Sequence, residues 1–249
     1  YHMTYVLEDA AAEGGELDSA IGHCPNCSIL PVRISDSFVG EGDKIAEGIV
    51  YAVDQGVQII AMALGSMTNP EYLQEAMQYA WDRGVTIVAA AGDELGYHHN
   101  FPGANDHALY VHSIHYYPIV SLETSRTILG FYGCNNFGAR VDAVAASGGC
   151  ATGSVAAISG ISGLVYSRAR DLGIDLSAAE ARQLILQTVD DINVSESQRP
   201  NSPYFPSHEG WDLFFGYGRA NAGRAVSRLD EGRIPPEVAF DRPGWFQYI

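Results

Sequence analysis

The sequence predicts an α/β fold: a doubly wound, mostly parallel sheet with helices on both faces, in three layers. Residues 57–64 and 85–91 are near-continuous apolar runs, the pattern of strands covered on both sides rather than of half-exposed ones. The stretches between such runs carry apolar residues at helical spacing and stop at glycine. The two kinds alternate along the chain, which is the order of βαβ units.

Taken in order, residues 28–34 read as the first buried strand, followed by the Gly-rich connection 39–43. Ile45, Ile49, Ala52 and Val53 fall on one helical face, and Gly56 ends that helix. After strand 57–64, Gly65-Ser66 turns the chain. Pro70 stands near the start of a helix reaching about Arg83, with Gly84 as its stop. Strand 85–91 ends at Gly92. Residues 108–114 and 141–146 are further strand candidates. Residues 155–172 form a helix of small and apolar residues, hence a central one. Ser177 and Glu180 fit a capping box opening a helix to about Val189. A last short helix runs to about Leu229, so residues 1–230 read as one domain and 231–249 as a linker or the start of a further region.

The chain has 249 residues, 47% of them hydrophobic, enough for a full core and too apolar for disorder. Its formal charge of −16 argues against nucleic acid as a partner, because that binding relies on Lys and Arg neutralising phosphates. No apolar run approaches the roughly 18–20 residues of a membrane span. Four cysteines stand at Cys24, Cys27, Cys134 and Cys150. The Cys24-Pro25-Asn26-Cys27 spacing suits a redox dithiol or half a zinc site. The absence of a second close pair favours structural disulfides and an oxidising, secreted or extracytoplasmic setting, without fixing the pairing. His98, His99, His107, His112 and His115 lack the spacing of a metal motif, so no metal ligands are assigned. The sequons at Asn26 and Asn193 are of a kind common by chance.

In an open α/β sheet, chemistry collects at the carboxyl ends of the strands. Three loops meet that condition: Leu64-Gly65-Ser66, Ala90-Ala91-Gly92-Asp93 and Thr152-Gly153-Ser154. Ser154 is the candidate nucleophile. It follows a glycine and opens the apolar helix, where the dipole and free N–H groups favour a developing oxyanion. Serine is also a favoured N-cap anywhere, so a purely structural reading stands beside this one.

The wider pattern resembles the subtilisin-like serine proteases, the subtilases, over roughly 200 residues and in order. Thr152-Gly153-Ser154-Val155-Ala156-Ala157 is similar to their Gly-Thr-Ser-Met-Ala nucleophile segment. The run 88–94 resembles the strand and turn that line the primary specificity pocket and carry the oxyanion donor. The run 60–66 resembles the Ser-Leu-Gly turn beside the substrate, and 22–33 the Gly-Val-Ala-Pro run. Gly216-Tyr217-Gly218-Arg219-Ala220-Asn221 resembles the Gly-Tyr-Gly-x-Val-Asn before the last helix. The first residues, His2-Met3-Thr4-Tyr5-Val6, then align with His-Gly-Thr-His-Val, with His2 23 residues before Pro25.

The resemblance implies a three-layer subtilisin-like fold and a serine endopeptidase acting on peptide or protein substrates. Ser154 would be its nucleophile, His2 its general base and acid, and Asp93 would sit at the oxyanion position. Leu64, Gly65, Ser66, Ala90, Ala91 and Gly92 would pair edge-on with the substrate. No cofactor is implied for the chemistry; calcium as a loop stabiliser is, though no ligand cluster marks it. The family's triad Asp precedes the His, so it is expected on a segment outside this chain, a separate N-terminal segment or propeptide being the implied partner. Asp93 replaces the usual Asn, and an ionised carboxylate accepts but does not donate. That departure supports the alternative of a catalytically impaired pseudoprotease serving as a binding or scaffolding module. An ester-cleaving α/β hydrolase is disfavoured, as Ser154 has no Gly-x-Ser-x-Gly elbow.

Overall fold

A computed structural model describes residues 2–14, 21–36, 41–121, 124–131, 134–192 and 207–236, with the backbone alone for 116–121 and 124–131. Helix α1 (His2–Ala11) is followed in element order by α2 (Gly42–Asp54), β1 (Ile59–Met62), α3 (Glu71–Asp82) and β2 (Thr86–Ala90). A long β3 (Ala108–Ser121) turns back as β4 (Thr124–Phe131). β5 (Ala143–Ala146), α4 (Ala151–Asp171), α5 (Ala178–Gln187) and α6 (Ala222–Asp230) complete the order.

The sheet is parallel where the prediction placed it: β1 on β2, β2 on β3, and β5 on the first half of β3. From Ile114 onward β3 pairs antiparallel with β4 instead, from Ile114–Phe131 to Ser121–Thr124. Alternation along β2 separates the two helical layers. Ile87 and Ala89 pack with Ile45, Ile49, Leu73 and Met77 of α2 and α3. Val88 and Ala90 pack with Val155, Ala157 and Ile158 of α4. This period-2 division of one strand between two cores is the physical basis of the three layers.

Helix α4 is central, touching β1, β2, β3 and β5 as well as α1, α5 and α6. Its small residues permit that density of neighbours. The predicted capping box is present: Glu180 N donates to Ser177 Oγ at 3.1 Å, and Ser177 N to Glu180 Oε2 at 3.0 Å. The carboxyl-terminal aromatics serve packing, with Phe214 and Phe215 in the core and Phe214 stacked on Phe137 at 4.8 Å.

Three expectations change. Residues 28–34 form no strand; Ile29 and Leu30 are 45% and 39% exposed, and Pro31 lacks the N–H a ladder needs. The helix expected from residue 155 starts at Ala151, so Ser154 lies within it rather than at its opening. Helix α1 and strand β4 were not anticipated. The expected linker 231–249 follows α6, and from residue 237 it lies outside the described residues, as do Tyr204 and Phe205. Among the described residues no helix is long and apolar enough to cross a membrane.

Candidate active site

The start of α4 is shaped by the residues just before it. Ser147 Oγ accepts from Gly149 N at 3.1 Å and meets Ser113 Oγ at 2.9 Å, while Ser113 Oγ also donates to Cys150 O. Cys150, the N-cap, is joined by a disulfide to Cys134, Cα to Cα 5.8 Å. Gly153 has no alternative here, since a Cβ on it would lie 1.9 Å from Ser147 Oγ. The result is a rigid first helical turn whose second residue is Thr152.

His2 opens α1, which lies along α4 through Val6 and Ala10 against Ala156. That packing puts His2 Nε2 3.2 Å from Thr152 Oγ1. Asp93, just beyond the end of β2, accepts the Ala151 N–H on Oδ1 at 2.8 Å. His2, Thr152 and Asp93 therefore gather at the carboxyl end of the sheet. Burial pushes the Asp93 carboxyl above its ordinary value; the Ala151 N–H and nearby His2 oppose this, and Glu94 adds to it.

Ser154 sits elsewhere. Its hydroxyl is 0% exposed and turns into the sheet, donating to His112 O and Ala145 O, accepting from Ala145 N at 3.1 Å, and meeting Ser113 Oγ at 3.2 Å. The expected meeting of His2 with Ser154 is replaced by one with Thr152, because α4 begins four residues earlier and one helical turn swings the serine inward. The missed signal was Gly148-Gly149: a glycine pair marks the turn, so the first hydroxyl residue of the helix is Thr152.

The expected substrate-binding residues occupy neighbouring strand ends. Leu64, Gly65 and Gly92 are part-exposed, while Ser66, Ala90 and Ala91 are buried. Ser66 is already paired through both backbone groups with Phe101, Ser66 N to Phe101 O at 2.6 Å and Phe101 N to Ser66 O at 2.9 Å. The Ala91 carbonyl accepts from Tyr110 Oη at 2.7 Å and Asn136 Nδ2 at 3.0 Å.

Beside Gly92 lies a polar cluster not anticipated from sequence. Asn100, 3% exposed, donates through Nδ2 to Glu94 Oε1 at 3.1 Å and Oε2 at 3.2 Å, and Asn136 donates to the same carboxylate. Burial would raise Glu94, but these bonds and His98 outweigh it and hold the carboxyl below its usual range. A Cβ on Gly92 would fall 2.1 Å from Asn100 Nδ2. The space above that glycine is thus filled by the protein's own side chains.

Among the described residues no group of three or more His, Cys, Asp or Glu is placed to hold a metal ion. The calcium implied by resemblance has no such cluster there. The second disulfide joins Cys24 to Cys27, Cα to Cα 5.4 Å.

Comparison with known proteins follows the same lines. Residues 6–155 match the Subtilase family, peptidase family S8. The chain is 32% identical over 113 residues to thermitase of Thermoactinomyces vulgaris, covering 45% of this chain and 40% of that protein. It is 29% identical over 241 residues to a thermophilic serine proteinase of Bacillus sp. strain AK1, 91% of this chain and 52% of that one. The halolysin-like extracellular serine protease Nep of Natrialba magadii is 31% identical over 238 residues, 91% and 39%. The chain thus spans about half or less of these relatives. Among solved structures, a mutant of the protease domain of PatA superposes with TM-score 0.70 at 22% identity, covering 94% of this chain and 82% of that one. Sphericase superposes with TM-score 0.68 at 23% identity, 88% and 77%.

Proposed function

The chain belongs to the subtilase family, and from that premise we propose that it carries the nucleophile-bearing part of an endopeptidase domain, with Thr152 as nucleophile and His2 as general base. The observation that carries this reading is the 3.2 Å approach of His2 Nε2 to Thr152 Oγ1 at the start of α4. That distance is within reach for proton transfer.

As Thr152 Oγ1 bonds to the scissile carbonyl carbon, its proton passes to His2 Nε2. The imidazolium returns that proton to the departing amine as the C–N bond breaks. Water then attacks the Thr152 ester, giving a proton to His2, and the acid leaves as Oγ1 recovers one. The family's order puts the orienting Asp before the His, so we assign that role to a segment upstream of Tyr1, which is also the implied N-terminal partner. Asp93 faces the developing oxyanion and helps it only when its carboxyl is protonated, because an ionised carboxylate accepts but does not donate. The peptide substrate lies between Leu64-Gly65 and Ala90-Ala91-Gly92. Two disulfides and an extracellular relative support a secreted location.

Two observations favour a second reading, an impaired binding module: Asp93 accepts a hydrogen bond where a donor is wanted, and Asn100 with Glu94 fills the space above Gly92. The test is labelling of the full-length protein with a fluorophosphonate between pH 4 and 8. Adduct on Thr152, lost in Thr152→Ala and kept in Thr152→Ser, supports the peptidase. No adduct at any pH, with peptide binding retained, supports the module.

A further inference from the structure

The Cys24–Cys27 pair is a sequence motif that the proposed chemistry leaves unused. It closes a four-residue turn directly after the segment that grips the carboxyl end of α1: Gly22 N donates to Ala12 O at 2.9 Å, His23 N to Asp9 O at 3.0 Å, and Cys24 N, at the turn's start, to Ala10 O at 2.8 Å. His23 Nδ1 adds a contact to Asp9 O at 2.8 Å. On its other side the loop lies directly on α4. A Cβ on Gly163 would stand 2.6 Å from Cys27 Sγ and 3.0 Å from Cys24 Sγ; one on Gly160 would stand 2.5 Å from His23 Cβ. The cystine sulfurs rest on Gly163, while His23 and the Ala10 carbonyl of α1 rest on Gly160.

Helix α1 also touches α4 directly, through Val6, Ala10 and the Ala10 carbonyl over Gly160, and this grip adds to that hold. A ten-residue helix is marginal by itself in water, and its buried apolar contribution is two residues, Val6 and Ala10. Yet α1 carries His2, and α4 carries Thr152. The cystine loop therefore bridges the two helices whose relative position sets the distance between imidazole and hydroxyl.

We propose that Cys24–Cys27 is a thiol–disulfide exchange site whose oxidation state controls the placement of His2; its effect on turnover rests on the peptidase reading, its effect on α1 does not. The reagent is a dithiol reductant of small-molecule or CxxC-protein type. Its thiolate attacks Sγ of Cys27, the more exposed of the two residues, and the Cys24–Cys27 bond breaks with Cys24, 3% exposed, leaving as thiolate. The reagent's second thiolate displaces Cys27 from the mixed disulfide. Two protons complete the two thiols, and the reagent departs oxidised. Separate thiols no longer close the turn, so the hold on α1 relaxes. Displacing a catalytic group by about 1 Å costs on the order of 10²-fold in rate.

The test treats the full-length protein with graded dithiothreitol, with mass spectrometry of alkylated cysteines assigning which pair is reduced. Hydrogen exchange across α1 and peptide turnover are followed together, beside a Cys24→Ser/Cys27→Ser variant. Expected are faster exchange at the α1 amides and about a 10²-fold lower kcat with KM little changed when Cys24–Cys27 opens, both reversed on reoxidation. The double variant should resemble the reduced protein and ignore dithiothreitol at this site. Unchanged α1 exchange with the pair demonstrably reduced would overturn the proposal whether or not the protein turns over peptide. Faster exchange without turnover in either state would uphold the switch and sink the peptidase reading instead.

Discussion

Two hydroxyls two residues apart should respond in opposite ways to removal. Ser154 Oγ meets four buried polar atoms and contributes nothing to an open surface. Ser154→Ala removes bonds that water cannot replace, a cost of about 1–3 kcal/mol. For a domain of this size each kcal/mol moves Tm by about 2–4 °C, so a fall of several degrees is expected with turnover retained. Thr152 lies part-exposed beside His2. Thr152→Ala should leave Tm within about 1–2 °C, as a surface-type change of up to ~0.5 kcal/mol. Loss of the nucleophile should lower kcat/KM by at least about 10³-fold. Thr152→Ser, which keeps the hydroxyl and drops a methyl, should preserve activity. Differential scanning calorimetry and peptide hydrolysis on the same preparations decide the matter. A stable but inactive Ser154→Ala protein beside an active Thr152→Ala protein would refute the assignment.

Other consequences follow from titratable groups at the site and in the core. Asp93→Asn replaces an acceptor with a hydrogen-bond donor at the oxyanion position and should raise kcat/KM in peptide hydrolysis near neutral pH. Burial lowers His112 from 6.5 to about 4. Its folded pKa is below its unfolded one, so this stability is fully present above pH 6.5 and is lost as pH falls to 4. The loss amounts to about 3 kcal/mol, and urea titrations of His112→Phe should lack it. Arg182 and Asp142 form a buried pair at 3.1 Å, with Asp142 also accepting from Tyr110 N. Arg182→Leu should therefore cost about 3–5 kcal/mol by denaturant unfolding, and Arg182→Leu/Asp142→Asn should recover part of it.

Much of this architecture was legible in the chain. Strands such as 85–91 announce themselves because both faces are buried, and the Ser177–Glu180 cap because its hydrogen bonds are local. The carboxyl-end loops carrying Asp93 and Thr152 follow from the same layout, and the subtilase resemblance from motif order. Tertiary structure alone decided the rest. Whether a hydroxyl faces an imidazole depends on where α4 starts, and a shift of a few residues rotates Ser154 into the sheet and leaves Thr152 outside. Residues 28–34 have strand-like composition, yet no strand forms there. Asn100, Asn136 and Glu94 fill the space above Gly92, and Cys24–Cys27 seats on Gly163, each joining residues from distant parts of the chain. Contacts at such separations come from the packing of layers, which local periodicity does not encode.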